Sequence, residues 1–118
     1  MAKDVSAVDL EMVFVKAAET MFFQVPANTE YNGLIRFANI DINLVNPPAA
    51  AHSVKIHVMP ASGTVDDMHV VCPGQGIEGQ NGFDFGPIVL AAGRRVFLSG
   101  DVDDKITAQF VGYKTVIS

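Results

Sequence analysis

The sequence predicts an all-β fold: a single β-sandwich or jelly-roll-like domain of about eight antiparallel strands. Three observations lead there. Runs rich in Val, Ile, Phe and Thr recur along the chain, among them "TMFFQV", "HSVKIHVMP" and "ITAQFVGYKTVIS". Within several of these runs apolar and polar residues alternate with a period of two, the repeat of a half-buried strand. Between them lie clusters of Gly, Pro, Asn and Asp at turn spacing, and no segment carries a convincing helical stripe.

The first candidate element is "VDLEMVFVKAAE", residues 8–19. Leu10, Met12 and Phe14 alternate as a strand would, whereas Val8, Met12 and Val15 approximate a helical face. The β-branched and aromatic density favours the strand. "TMFFQV" (20–25) is a strand closed by Pro26, which has no amide to donate to a ladder. "ANTEYNG" reads as a turn, with Asn32-Gly33 suited to positive φ.

"LIRFANIDINLV" (34–45) follows as one long strand. Ile40, Ile42 and Leu44 alternate with Asn39, Asp41 and Asn43, while Ile35 and Phe37 stand in the opposite phase, which predicts a bulge or bend near Ala38. "NPPAAA" (46–51) breaks the pattern. "HSVKIHVMP" (52–60) resumes it, with Val54, Ile56 and Val58 inward and Lys55 and His57 outward. "ASGTVDD" is a loop, "MHVVC" (68–72) a short strand, and "PGQGIEGQNG" (73–82) a glycine-rich loop. "FDFGPIVL" (83–90) is a strand interrupted at Gly86-Pro87. "AAG" is a tight hairpin turn leading into "RRVFLS", and "GDVDD" is a further turn. "ITAQFVGYKTVIS" (106–118) closes the chain with Ile106, Ala108 and Phe110 on one face.

A chain of 118 residues suits one domain. Residues 20–118 form the sandwich, and residues 1–19 form an N-terminal arm or first strand that is expected to contact another subunit. Hydrophobic residues make up 49% and charged residues 18%, below the roughly 25% of an average domain. Part of the surface is therefore expected to be apolar and covered by other chains. Net charge is −5, and the eight Lys and Arg do not cluster, so neither nucleic acid nor an anionic membrane is an expected partner. Cys72 is the single cysteine, the N-terminus lacks the apolar region of a signal peptide, and no apolar run is long enough to span a membrane. A soluble protein made in a reducing cytoplasm is the expectation.

Chemical motifs are sparse. "GQGIEG" (74–79) fits the dinucleotide-binding spacing, but "QNGFDFGP" follows where the phosphate-binding helix must begin. His52, His57, His69, Cys72 and Asp41 supply metal-ligand types without a convergent spacing. No serine lies in a nucleophile elbow, and Cys72 beside Pro73 reads as structural. Asp66-Asp67 and Asp103-Asp104 lie in turns. Asp101, Asp103 and Asp104 leave weak calcium binding open, with solvated turn residues as the ordinary role. No catalytic, metal or cofactor-binding residue and no cofactor follow from these patterns. Arg94 and Arg95 are successive on a strand, so one is expected to be buried or to form an intersubunit ion pair. With Leu10, Met12 and Phe14 of the arm, they are the candidate interface residues.

Residues 20–118 also carry a resemblance. "FFQVPANTEYNGLIRFANIDINLVN", "VKIHVMPASGTVDDMHVV" and "GPIVLAAGRRVFLSGDVDDKITAQFVGYKTVIS" resemble small β-sandwich virion proteins of tailed bacteriophages. The shared feature is β-patterning rather than a chemical signature. The sequence departs from it in the long "CPGQGIEGQNGFDF" segment and in the first twenty residues. The resemblance implies a non-enzymatic virion component present in repeated copies, a homo-oligomer or a partner of other virion proteins. The leading role is capsid decoration or head accessory, docked on the major capsid protein. The alternative is a tail, neck or fibre part, and an alternative of another class is a carbohydrate-binding module. That module would want exposed aromatics, and the chain has no Trp and two Tyr.

Overall fold

The computed structural model describes residues 3–41 and 50–117. The described residues form nine strands: β1 (Lys3–Ala7), β2 (Val13–Phe14), β3 (Thr20–Gln24), β4 (Thr29–Asn39), β5 (His52–Met59), β6 (Val70–Ile77), β7 (Gly82–Leu90), β8 (Arg95–Gly100) and β9 (Ile106–Ile117). One 3-10 turn, Asp67–His69, precedes β6. Sheet A runs β1-β9-β4-β7, with β2 also on β9; sheet B runs β3-β8-β5-β6. All pairings are antiparallel, and the two sheets pack together as a β-sandwich.

The pairing is nested. β1 and β2 share β9 as partner, then β3 takes β8, β4 takes β7, and β5 takes β6 at the centre. A long hairpin rolled so that successive pairs fall in alternate sheets gives this order, which is the jelly roll. β1 and β2 occupy one lane, so nine strands fill eight positions.

The core lies between the sheets. Ile35, Phe37, Ile106, Ala108 and Phe110 of sheet A meet Phe23, Val54, Ile56, Val96 and Leu98 of sheet B. The Phe23 ring from sheet B sits 5.5 Å from Tyr31 and 5.2 Å from Phe110, both of sheet A. Ile106, Ala108 and Phe110 share the inner face of β9, as the period-two pattern predicts.

Several local expectations are corrected. "PIVLAAGRRVFLSG" is not a hairpin: β7 lies in sheet A and β8 in sheet B, so the turn at Ala92-Gly93 carries the chain between sheets. Gly93 takes φ +83, a conformation glycine adopts without a Cβ penalty. Asn32-Gly33 is not a turn; it lies inside β4, and the chain reverses at Ala27-Asn28 instead. β4 keeps one phase past Ala38, with Ile35, Phe37 and Asn39 all buried and Ile40 exposed. Asn39 can face inward because its amide donates to the Ala50 and Ile77 carbonyls while its Oδ1 accepts from the Asp41 amide. Ile42, Asn43 and Leu44 of the expected long strand, and most of "NPPAAA", lie outside the described residues.

The glycine-rich segment is mostly strand. Pro73–Ile77 belong to β6, and the turn is confined to residues 78–81. In residues 8–19 only Val13 and Phe14 are strand, and the other N-terminal strand lies earlier, at Lys3–Ala7.

Gly33 and Gly112 stand directly opposite each other in the β4–β9 register. A Cβ on Gly33 would overlap the Val111 carbonyl, and one on Gly112 would overlap the Asn32 carbonyl. The two strands approach too closely there for any side chain. Tyr31 and Phe110, on either side of the glycine pair, bring their ring centroids to 5.6 Å and cover the gap.

Candidate docking surface

Continuous β9 register fixes which side chains face out. With Ile106, Ala108 and Phe110 inward, Val111, Tyr113, Thr115 and Ile117 take the outer face of sheet A. Pairing puts Val5 beside Thr115, Leu34 beside Val111, and Asn32 between Tyr113 and Val89. The outer face at this end therefore carries Val5 (66% exposed), Tyr113 (61%) and Val89 (61%), with Val111 and Ile117 beside them. Solvent-facing apolar side chains grouped on one sheet face make this end of sheet A the candidate docking surface. The sequence signal for them is the end of "ITAQFVGYKTVIS", where apolar residues occupy both phases of the alternation.

The candidate interface residues fall in separate places. Leu10 is half-buried against the core, whereas Met12 (56%) and Phe14 (51%) are exposed at the β2 edge. Met21 of β3 is exposed as well, and Phe14 and Met21 line one shallow recess with Val13, Thr20 and Phe22. Arg94 and Arg95 are not successive on a strand: Arg94 is an exposed turn residue and Arg95 begins β8. Arg95 donates to the Pro60 carbonyl at 2.8 Å and the Gly63 carbonyl at 2.7 Å, and its guanidinium lies 5.4 Å from the Phe97 ring centroid. It clamps the β5–β6 connection onto the outside of sheet B.

That clamp explains a further correction. His57 was expected outward and solvated, yet it is 1% exposed. It does point away from the core, into the space that the 3-10 turn of this connection covers. Its Nε2 is 3.6 Å from Asp67 Oδ1, beyond hydrogen-bond length, and neither ring nitrogen has a hydrogen-bond partner among the described residues.

The polar clusters are self-contained. His52 Nδ1 lies 3.0 Å from Asp101 Oδ2, and its Nε2 lies 2.7 Å from Asp41 Oδ2. The hydrogen bond from Asp41, then that from Asp101, raise the His52 pKa from its ordinary 6.5, and desolvation only partly opposes them. A ring with both nitrogens engaged has no free position for a substrate proton. Asp101 also accepts from the Ser53 amide, Asp103 accepts from the Ala17 amide at 2.8 Å, and Asp104 pairs with Lys16 at 2.5 Å. The carboxylates of Asp101, Asp103 and Asp104, for which weak calcium binding was open beside the ordinary role of turn residues, thus face three different partners, and among the described residues no group of metal-ligating side chains is placed to hold an ion. Burial pushes the Cys72 thiol pKa up, away from a reactive thiolate. Of the "GQGIEG" glycines, Gly74 and Gly76 lie inside β6 and Gly79 lies in the turn that leads to β7, so no helix N-terminus follows them.

Fold and surface together define the class: a jelly-roll β-sandwich with an apolar outer face and its polar clusters engaged internally. No family model matches the chain, and no match is found among curated proteins or solved structures.

Proposed function

We propose that this chain is a non-enzymatic structural protein of a bacteriophage virion that docks on neighbouring virion subunits, with capsid decoration or head accessory as its leading role. The observation that carries this reading is the apolar outer face of sheet A, formed by Val5, Val89, Val111, Tyr113 and Ile117. A monomer in water gains nothing from such a face, whereas a subunit seated on neighbours buries it. Two further features support the reading. Jelly rolls serve as capsid domains, and residues 20–118 resemble small phage virion proteins. A fold used by many functions does not choose among them, so the surface carries the weight.

A carbohydrate-binding module draws less support. Phe14 and Tyr113, the exposed aromatics among the described residues, flank positions about six residues apart along β9, roughly 20 Å, too far for one sugar. The test is mass spectrometry of purified particles with stoichiometry. A copy number that follows the shell lattice supports decoration. One that follows the tail's rotational symmetry moves the protein to neck, tail or fibre, and absence from particles rejects the proposal.

A further inference from the structure

We infer that β1 is a self-association edge: a second copy of this chain pairs its own β1 antiparallel with it, Val5 opposite Val5, and extends sheet A across a two-fold axis. The inference rests on the docking reading above and names one partner and one edge for it.

Two sheets present four lanes at their edges: β3, β6, β7, and the lane of β1 and β2. Three are interrupted by an extra residue. Phe22 is extra in β3 against β8. β6 carries extra residues at Pro73-Gly74 and at Val71 against β5. β7 carries one at Gly86-Pro87 against β4. Bulges and prolines of this kind keep an edge strand from pairing with another chain. β1 has neither: Lys3–Ala7 run in unbroken register with Ile117–Tyr113. β2, in the same lane, is only two residues long.

The hydrogen-bond phase shows what that edge offers. The Val8 amide donates to the Gly112 carbonyl at 2.9 Å, and the Ile117 amide donates to the Asn28 carbonyl on the opposite side of β9. In an antiparallel ladder a residue's N–H and C=O point the same way and alternate along the strand. Asp4 and Ser6 therefore bond to β9, and the N–H and C=O groups of Lys3, Val5 and Ala7 point outward, with no partner among the described residues.

Charge and length select the register. Centring the pair on Asp4 would oppose two carboxylates, and centring it on Ser6 would lose the Lys3 pairing. Centring on Val5 pairs Lys3 with Ala7 and Val5 with Val5, using every outward group for about six main-chain hydrogen bonds. It also places the two apolar outer faces side by side, since Val5 belongs to that face. The contact is short, so it is weak in free solution and strengthened where copies are arrayed together.

The test uses the full-length protein, by sedimentation velocity across concentrations up to about 1 mM. The wild type is expected to self-associate. Val5→Pro should weaken association by at least about ten-fold with an unchanged circular dichroism spectrum, because it removes an amide that β9 does not use. Val5→Thr should associate like the wild type. Amide exchange on the unmodified protein gives a second readout that does not depend on a variant folding. The Val5 and Ala7 amides should gain protection as concentration rises, while Asp4 and Ser6 stay protected throughout. A wild type that remains monomeric at about 1 mM, or Val5 and Ala7 amides unprotected in an associated sample, overturns the inference. In the second case association itself still supports a docking role through other surfaces. Absence of the chain from purified particles would reject the docking reading and leave the edge result standing.

Discussion

His52 joins three parts of the chain that are far apart in sequence: the segment after β4 through Asp41, the start of β5, and the β8–β9 connection through Asp101. Its raised pKa means that the folded state holds the proton more tightly than the unfolded chain. That contribution is complete below the ordinary value of 6.5 and is lost as pH rises through the higher folded value. Asp101 works in the opposite direction. Burial pushes its pKa up, but the bond from His52 and the backbone amides of Ser53 and Asp101 together outweigh burial and lower it. Its contribution is present above the ordinary 3.8 and fades as pH falls through the lower folded value. Melting temperature should therefore decline on the alkaline side of pH 6.5 in the wild type and decline less in His52→Gln. Equal slopes for the two proteins would dissociate His52 from the pH response.

At the scale of the strand, glycine placement separates tolerated positions from forbidden ones. Gly33 and Gly112 lie where β4 and β9 come closest, and an added Cβ meets backbone that cannot turn aside. Gly33→Ala and Gly112→Ala should each cost about 1–3 kcal/mol or more in urea unfolding, the range for forcing extra atoms into packed structure. Gly74 and Gly76 of β6 face open space. Alanine there should stay within about 0.5 kcal/mol of the wild type, as for ordinary surface changes. If all four substitutions behave alike, the close approach of β4 and β9 is not what fixes glycine at those two positions. β1 belongs to the same scale: the described side chains of Asp4, Val5, Ser6 and Ala7 are all exposed, so this strand is held by its ladder with β9 rather than by the core. Protection of its inner amides should be the weakest of any strand in sheet A.

Across the whole molecule, the aromatic cluster ties one sheet to the other. Phe110 is buried in sheet A with its ring against Phe23 of sheet B and Tyr31 of its own sheet. Phe110→Ala should destabilise the fold by about 3–5 kcal/mol, the cost of an unfilled aromatic cavity. A chain of this size is stable by only about 6–18 kcal/mol, so the loss is a large share and should appear as a single cooperative transition at lower denaturant. Two separate transitions would mean that the sheets do not form one unit. The nested topology argues against that, because every strand pairing except the central β5–β6 hairpin joins strands distant in sequence.

Legible in the amino-acid order were the all-β class, the number of strands to within one, and the inner faces of β5 near Val54 and Ile56 and of β9 at Ile106, Ala108 and Phe110. These follow from local alternation and turn chemistry, which the chain carries in every stretch of five or six residues. The rest depends on contacts between segments far apart in the chain. Whether "AAG" makes a hairpin or a passage between sheets depends on which distant strands β7 and β8 pair with, and local pattern is the same for both. Gly33 looks like a turn residue until Gly112 is placed against it. His57 reads as a surface residue until Arg95 pins a connection over it. The outer apolar face exists only because the β9 register sets Val5, Val89 and Tyr113 on one side, and register is a property of strand pairs that no single strand encodes.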